Sequence, residues 1–407
     1  MQSGSFKDMI ATLLERRFKP ARKSDDGPIE LLCTALLSET GDIATVGIGR
    51  QILGRYRAMT AGEKARFFGY LARDLDIDPF AVAASASRYG QERTAERLAA
   101  LLEAAEPCRQ ELLRRLNRVP GATPLLVAMR CDLFAAMRDD RDLRRIDLDF
   151  AHLLSSWFNP GFLVLKRIGW DSPADILEKI IAYEAVHEIG DWEELRRRIH
   201  PDDRRCFAYF HPSMPDEPLI FVEVALVAAV PRSIHAVLAT ARTALPPDHA
   251  TTAVFYSTSN CQEGLRGVSF GNSLIKQVVE DLAREFPQLT TFVTLSPIPG
   301  FRAWLDARGD TKVGGWRTAA ARYLVDAKRA DGLPMDAVAR FHLANGAILH
   351  DIQADADRSD KGMEQSHGLM VNYRYDPTRL EANIDAYFGK ASVARSPLVA
   401  DLLKMPA

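Results

Sequence analysis

The chain has 407 residues, 47% hydrophobic and 26% charged, the balance of a globular protein with more than one packed domain. A formal net charge of −2 gives it no general attraction to nucleic acid or to an anionic membrane surface, and no apolar run is long enough to span a bilayer. Its five cysteines (Cys33, Cys108, Cys131, Cys206 and Cys261) form no CxxC pair, which excludes zinc-ribbon and thioredoxin-like readings. With an N-terminal stretch whose charges interrupt its apolar residues, they predict a reducing, cytoplasmic location.

Up to about Phe158 the pattern is helical. In "TAERLAALLEAAEPCRQELLRRLNRVPG", Leu98, Leu101 and Leu102 share one helical face, and Leu112, Leu113 and Leu116 the next. Pro107 and Pro120–Gly121 punctuate these segments, and "WFNPGF" (Trp157–Phe162) breaks the pattern. A boundary near residue 160 follows, with residues 1–160 as an all-helical domain. That domain carries no chemistry that can be named. Its leucine- and alanine-rich faces read as core or as a partner surface, so self-association into a homo-oligomer is expected.

Residues 161–407 read as a mixed α/β domain, so the fold class is α + α/β. "SPADILEKIIAYEAVHEIGDWEELRRRIHPDDRR" is still helical, with Ser172 predicted as N-cap and Pro173 at the first helical position. The texture then changes. "RCFAYFHP", "EPLIFVEVALVAAV", "TTAVFYSTS" and "LTTFVTLS" are short, β-branched and aromatic, which predicts strands. Between the last two lies an amphipathic helix with Leu274, Ile275, Val278, Val279, Leu282 and Phe286 on one face. Strand, helix, strand implies a crossover unit.

The loop before that helix, "LRGVSFGNS" (Leu265–Ser273), carries Gly267 and Gly271, which let a ligand approach the backbone closely. A helix N-terminus behind it offers unpaired N–H groups to a phosphate. The spacing is neither GxGxxG nor GxxxxGK[ST], and a plain turn would use the same glycines. No metal site is expected. "HEIGD" at His187 lacks a second histidine, and "HDIQADADRSD" (His350–Asp360) lacks a calcium-loop pattern and reads as an exposed acidic loop.

Four segments carry a family resemblance. "FYSTSNCQEGLRGVSFGNSLIKQVVEDLAREFPQLTTFVTLSPIPGFRAWL", "HPSMPDEPLIFVEVAL", "FHLANGA" and "GLMVNYRY" closely resemble malonyl-CoA decarboxylases in sequence and order. The likeness runs from about residue 110 to 407 and is densest from 205 to 375. It implies an N-acetyltransferase-like (GNAT-like) catalytic domain behind the helical one, and conversion of malonyl-CoA to acetyl-CoA and CO2. It also implies that Arg266, Gly267, Val268, Ser269, Phe270, Gly271 and Asn272 cradle the CoA pyrophosphate. The catalytic serine and histidine of the family match Ser296 in "TLSPIPGF" and His342 in "FHLANG". The chain departs most from the family between residues 350 and 360.

The residues themselves leave more open. Ser296 stands at a strand end before a stiff Pro-Ile-Pro, where ligands collect in α/β sheets, but Ser-Pro also starts ordinary turns. His342 sits in apolar surroundings and can equally be a core histidine bonded to a backbone carbonyl; its pKa range suits proton transfer. Carried over from the family, Ser296 binds the malonyl carboxylate or accepts a proton, and His342 protonates the product carbanion. Ser257, at the end of its strand, and Tyr375 are supporting candidates, and Asn345 either orients His342 or makes its turn. Decarboxylation through a thioester enolate demands no metal, biotin or other cofactor, and none is expected. The alternatives are another acyl-CoA enzyme on the same scaffold (an N-acetyltransferase or a thioester hydrolase), or a non-catalytic acyl-CoA sensor.

Overall fold

The computed structural model describes residues 27–268, 274–309 and 315–405. The chain divides into two compact units. One runs up to Trp157 and takes in Gly264–Gly267; the other holds Phe158–Glu263 and the chain from Val268 onward.

Eight α-helices make up the described part of the first unit: α1 (Ile29–Ser38), α2 (Asp42–Ala58), α3 (Ala61–Arg73), α4 (Pro79–Gln91), α5 (Ala95–Ala105), α6 (Cys108–Asn117), α7 (Ala122–Ala136) and α8 (Arg144–Trp157). Local chemistry sets their starts. Thr60 and Glu63 form a reciprocal capping box at α3, and Asp78 caps α4 with Pro79 at its first position. Leu36, Ile52, Phe68, Leu112, Leu116, Leu126 and Ile146 are fully buried and form the core. Arg109 crosses this core as a buried ion, paired with Asp149 and, at 2.7 Å, with Asp76. Helices α4 and α5 differ from the rest: they bury no residue, and Phe80 and Leu102 stand 87% and 63% exposed. Leu98 and Leu102 therefore form no core among the described residues.

The second unit is built on one eight-stranded sheet. Its strands are β1 (Val164–Ile168), β2 (Arg204–Phe210), β3 (Ile220–Val227), β4 (Thr252–Asn260), β5 (Thr291–Thr294), β6 (Ser296–Pro297), β7 (Ile348–Gln353) and β8 (Met370–Tyr375). The order is β1-β2-β3-β4-β5-β8-β6, with β7 also paired to β8. All pairs are antiparallel except β4 with β5. The helices are α9 (Ala174–Tyr183), α10 (Trp192–Ile199), α11 (Ile234–Leu238), α12 (Leu274–Glu285), α13 (Phe301–Arg308), α14 (Trp316–Asp326), α15 (Ala337–Ala344), α16 (Asp360–Ser366), α17 (Leu380–Lys390) and α18 (Pro397–Lys404). Helix α12 is the crossover between β4 and β5, and Leu274, Ile275, Val278, Val279 and Leu282 are completely buried. Every residue of β2 is buried, and all of β3 but its last, the charged Arg204, Arg205 and Glu223 included.

The parallel pair is short, and this creates the site. β4 and β5 run in register from Thr252↔Thr291 to Phe255↔Thr294, and Leu295 still donates its amide to the Phe255 carbonyl. Beyond that point β4 continues to Asn260 beside β3 alone, while the segment after β5 pairs with β8 through Ser296 and Pro297. A register shift between Glu223 and Val224 bends the β3–β4 ladder at the same level.

Three local expectations are corrected. Pro173, not Ser172, holds the N-cap position of α9, and the Ser172 hydroxyl instead accepts from the Gly169 amide at 3.1 Å. Ser257 lies inside β4 rather than at its end. The acidic stretch from His350 is not an exposed loop: Ile348–Gln353 is β7, and Ala356 and Asp357 are buried. Pairing with β8 and packing outweigh its carboxylate-rich composition.

Candidate active site

A cavity of about 250 Å³ opens where β4 and β5 part. Phe255, Ser257 and Asn260 of β4, Ser296 and Pro297 of β6, and Val338, Phe341 and His342 of α15 line it, with Val186 closing one side. The walls are mainly apolar with a few convergent polar groups, the usual character of a small-molecule site.

The polar groups form a chain. Ser296 Oγ donates to Thr294 Oγ1 at 2.9 Å and lies 3.1 Å from His342 Nε2. His342 Nδ1 lies 2.7 Å from the Tyr375 hydroxyl. Because the Ser296 proton is spent on Thr294, its lone pairs face the imidazole. Nε2 therefore carries the ring proton, and Nδ1 accepts from Tyr375. Both side chains are nearly out of water, at 6% exposure for Ser296 and 4% for His342. Tyr373 stacks on the imidazole, with ring centres 4.5 Å apart. Burial lowers the His342 pKa to about 3, so the ring is neutral at physiological pH.

The fold fixes each member. His342 lies in the last turn of α15, which Asp336 caps at its start through the Ala339 amide at 2.8 Å. Asn345 ends that helix and Gly346 follows at φ +82°, where a Cβ would come within 2.6 Å of the Leu380 carbonyl. Asn345 thus makes the turn: its side chain donates to Phe341 O, not to the imidazole. Thr294 is held by the Tyr373 amide at 3.1 Å, and its carbonyl accepts from Asn372 Nδ2 at 2.8 Å. Ser257 lines the cavity, but its hydroxyl proton goes to the Glu184 carboxylate at 2.7 Å, so it faces the cavity as an acceptor. Glu184 also accepts the Val186 and His187 amides, both at 2.8 Å, tying the Val186 wall to β4.

The structure thus brings Ser296, His342 and Ser257 to one cavity, with Tyr375 bonded to His342 behind it. Arg266 and Gly267 do not line it. They belong to the first unit, where the Arg266 guanidinium lies 4.2 Å over the Phe134 ring and its carbonyl accepts from Arg130 at 2.9 Å. Gly264 sits so close to Val127 O that a Cβ there would stand 2.0 Å away. Gly267 has φ +83° with open space where a Cβ would point, and Val268 is buried. Ser269, Phe270, Gly271 and Asn272 lie outside the described residues. Thr294, Glu184 and Asp336 were not legible as site residues; a threonine in a strand and carboxylates at helix ends carry no motif. Among the described residues no cluster of three or more His, Cys, Asp or Glu could hold a metal ion, and no helix is long and apolar enough to cross a membrane.

Comparisons with known proteins agree on one family. The description "Malonyl-CoA decarboxylase C-terminal domain" matches residues 161–316 and 311–407, and "Malonyl-CoA decarboxylase N-terminal domain" matches 76–158. "Malonyl-CoA decarboxylase, mitochondrial" of Anser anser anser is 34% identical, covering 84% of this chain and 81% of the relative. The protein of the same name from Mus musculus is 31% identical, covering 96% and 90%. The crystal structure of malonyl-CoA decarboxylase from Rhodopseudomonas palustris superposes with a TM-score of 0.87 at 44% identity, covering 92% of this chain and 98% of that one. That from Agrobacterium vitis gives 0.88 at 46%, covering 93% and 100%. Fold and family together define a carboxy-lyase, an enzyme with an all-helical N-terminal region and a mixed α/β sheet. The chain belongs to the malonyl-CoA decarboxylase family.

Proposed function

We propose that the chain converts malonyl-CoA to acetyl-CoA and CO2 in the cavity between β4 and β5, with Ser296 and His342 as the reacting pair. The Ser296–His342–Tyr375 chain in an apolar pocket carries this reading. Ser296 swings its hydroxyl from Thr294 to the malonyl carboxylate and holds it in line. The bond between the carboxyl carbon and C2 breaks, CO2 leaves, and its electron pair enters the thioester as an enolate. The His342 Nε2 proton moves to C2, and a proton from solvent restores the imidazole. A thioester enolate is a far stronger base than an imidazole anion, so a neutral imidazole suffices as donor. Dry walls favour the step, because the charge of the carboxylate disperses as CO2 departs.

In the same reading the loop from Arg266 to Asn272 cradles the CoA pyrophosphate. The left-handed, unobstructed Gly267 supports this, since it admits a close ligand. The helical residues 1–160 mediate self-association, and residues 161–407 are the catalytic domain. The faces of α4 and α5, which nothing among the described residues buries, support the first role. A single monomeric species by light scattering would remove it. Five free cysteines fit a reducing compartment, and the cytoplasm is our assignment.

The decisive test is incubation of the purified, metal-stripped protein with malonyl-CoA, with products followed by mass spectrometry. Acetyl-CoA and CO2 are expected. Malonate and free CoA would instead show a hydrolase using Ser296 as nucleophile, and unchanged substrate would point to a transferase or a sensor.

A further inference from the structure

Asp336 does not line the cavity, yet it is only 1% exposed. Its Oδ1 caps α15 through the Ala339 amide at 2.8 Å. Capping alone does not call for a buried carboxylate, because Thr60, Thr94 and Ser396 cap other helices of this chain with a single hydroxyl. The second oxygen has different neighbours. The carboxylate faces the Gly300 amide and the Tyr323 hydroxyl, and Oδ2 itself makes no hydrogen bond of full geometry. The three groups crowd together: a Cβ on Gly300 would stand 2.3 Å from Tyr323 Oη and 3.9 Å from Asp336 Oδ2. Gly300 closes the stretch Ser296-Pro297-Ile298-Pro299, which two prolines stiffen and the fully buried Ile298 anchors.

We infer that Asp336 is a positioning residue: it clamps the stiff segment carrying Ser296 to the first turn of the helix carrying His342, and so sets the separation of the two side chains. The inference rests on the reading of Ser296 and His342 as the reacting pair. One oxygen fixes the helix start by a hydrogen bond, and the other holds the end of the proline segment by charge–dipole attraction to the Gly300 amide, without a full hydrogen bond. Without the second tie, the two carriers are free to shift by a fraction of an ångström, enough to spoil a 3.1 Å contact.

Two substitutions separate the roles. Asp336→Asn keeps an oxygen for the Ala339 cap but turns an amide N–H toward the Gly300 N–H. Asp336→Ser keeps a capping hydroxyl and removes the second oxygen. In the full chain with malonyl-CoA, both should lower kcat ~10–100-fold, with KM within about twofold and the melting temperature little changed. The imidazole NMR signals of His342 should shift toward those of Ser296→Ala. Added to His342→Ala, Asp336→Asn should cost little further activity, since the pair is already broken. Unchanged kcat in both folded variants overturns the inference, as does a loss of activity that only tracks a loss of folded protein. Ser296→Ala and His342→Ala run in parallel keep the two readings apart. If these retain turnover, the reacting pair is wrong; if they lose it while the Asp336 variants do not, only the clamp is wrong.

Discussion

His342 is bonded at both ring nitrogens, to Ser296 on the cavity side and to Tyr375 behind. A neutral imidazole has one proton and one lone pair, and this environment uses each once. His342→Ala and Ser296→Ala should therefore each lower kcat on malonyl-CoA by roughly a hundredfold or more, with far-ultraviolet circular dichroism unchanged. Tyr375→Phe keeps the ring packing and removes only the bond that fixes the tautomer. A smaller kcat loss, about tenfold, is expected, read from steady-state kinetics beside the other two. The same burial has a second effect. His342 is held near 3 and His187 near 4, below the usual 6.5, in both cases first by desolvation. The unfolded chain then takes up these protons before the folded chain does. Their contribution to stability is complete above about pH 6.5 and falls as pH drops toward 4, by at most about 1.4 kcal/mol per pH unit for each ring. Urea midpoints at pH 7 and pH 5 should show this loss, and His342→Gln should lessen it.

At the scale of elements, the amphipathic helix α12 was legible because its five spaced apolar residues are all completely buried. Truncating one is costly: Leu282→Ala should destabilise the second unit by about 2–5 kcal/mol, measured by denaturant unfolding. Strands β2 to β5 were legible because they are rich in β-branched and aromatic residues. β1 was not, being five residues with Lys166 and Arg167 at its centre. Nor was β7, whose His350–Asp351 reads as loop until β8 pairs with it. Leu98 and Leu102 had the period of a buried face, yet their helix buries nothing. Periodicity shows that a helix has an apolar side, not that the same chain covers it.

At the scale of the whole molecule, sequence carried the order of parts better than their meeting points. Ser296 and His342 are 46 residues apart, and each alone reads as turn or core. Their motifs single them out, but the separation of β4 from β5 after Phe255 gives them a common cavity. That divergence depends on where one hydrogen-bond ladder stops, which no local pattern encodes. Thr294 was missed for the same reason: its partners come from β8, nearly eighty residues later.

The sheet also has an outer margin. Among the described residues β1 is a terminal strand whose outer edge pairs with no other strand, and it is the least covered of the eight. Such a margin can recruit the margin of another molecule and seed an insoluble ribbon. The two charges at its centre, Lys166 and Arg167, guard against this, because stacking them against identical copies would set like charges side by side. Replacing both with threonine would raise strand propensity and remove the repulsion together. Turbidity on mild heating should then rise well before the wild type clouds, in a variant whose active site has not been touched.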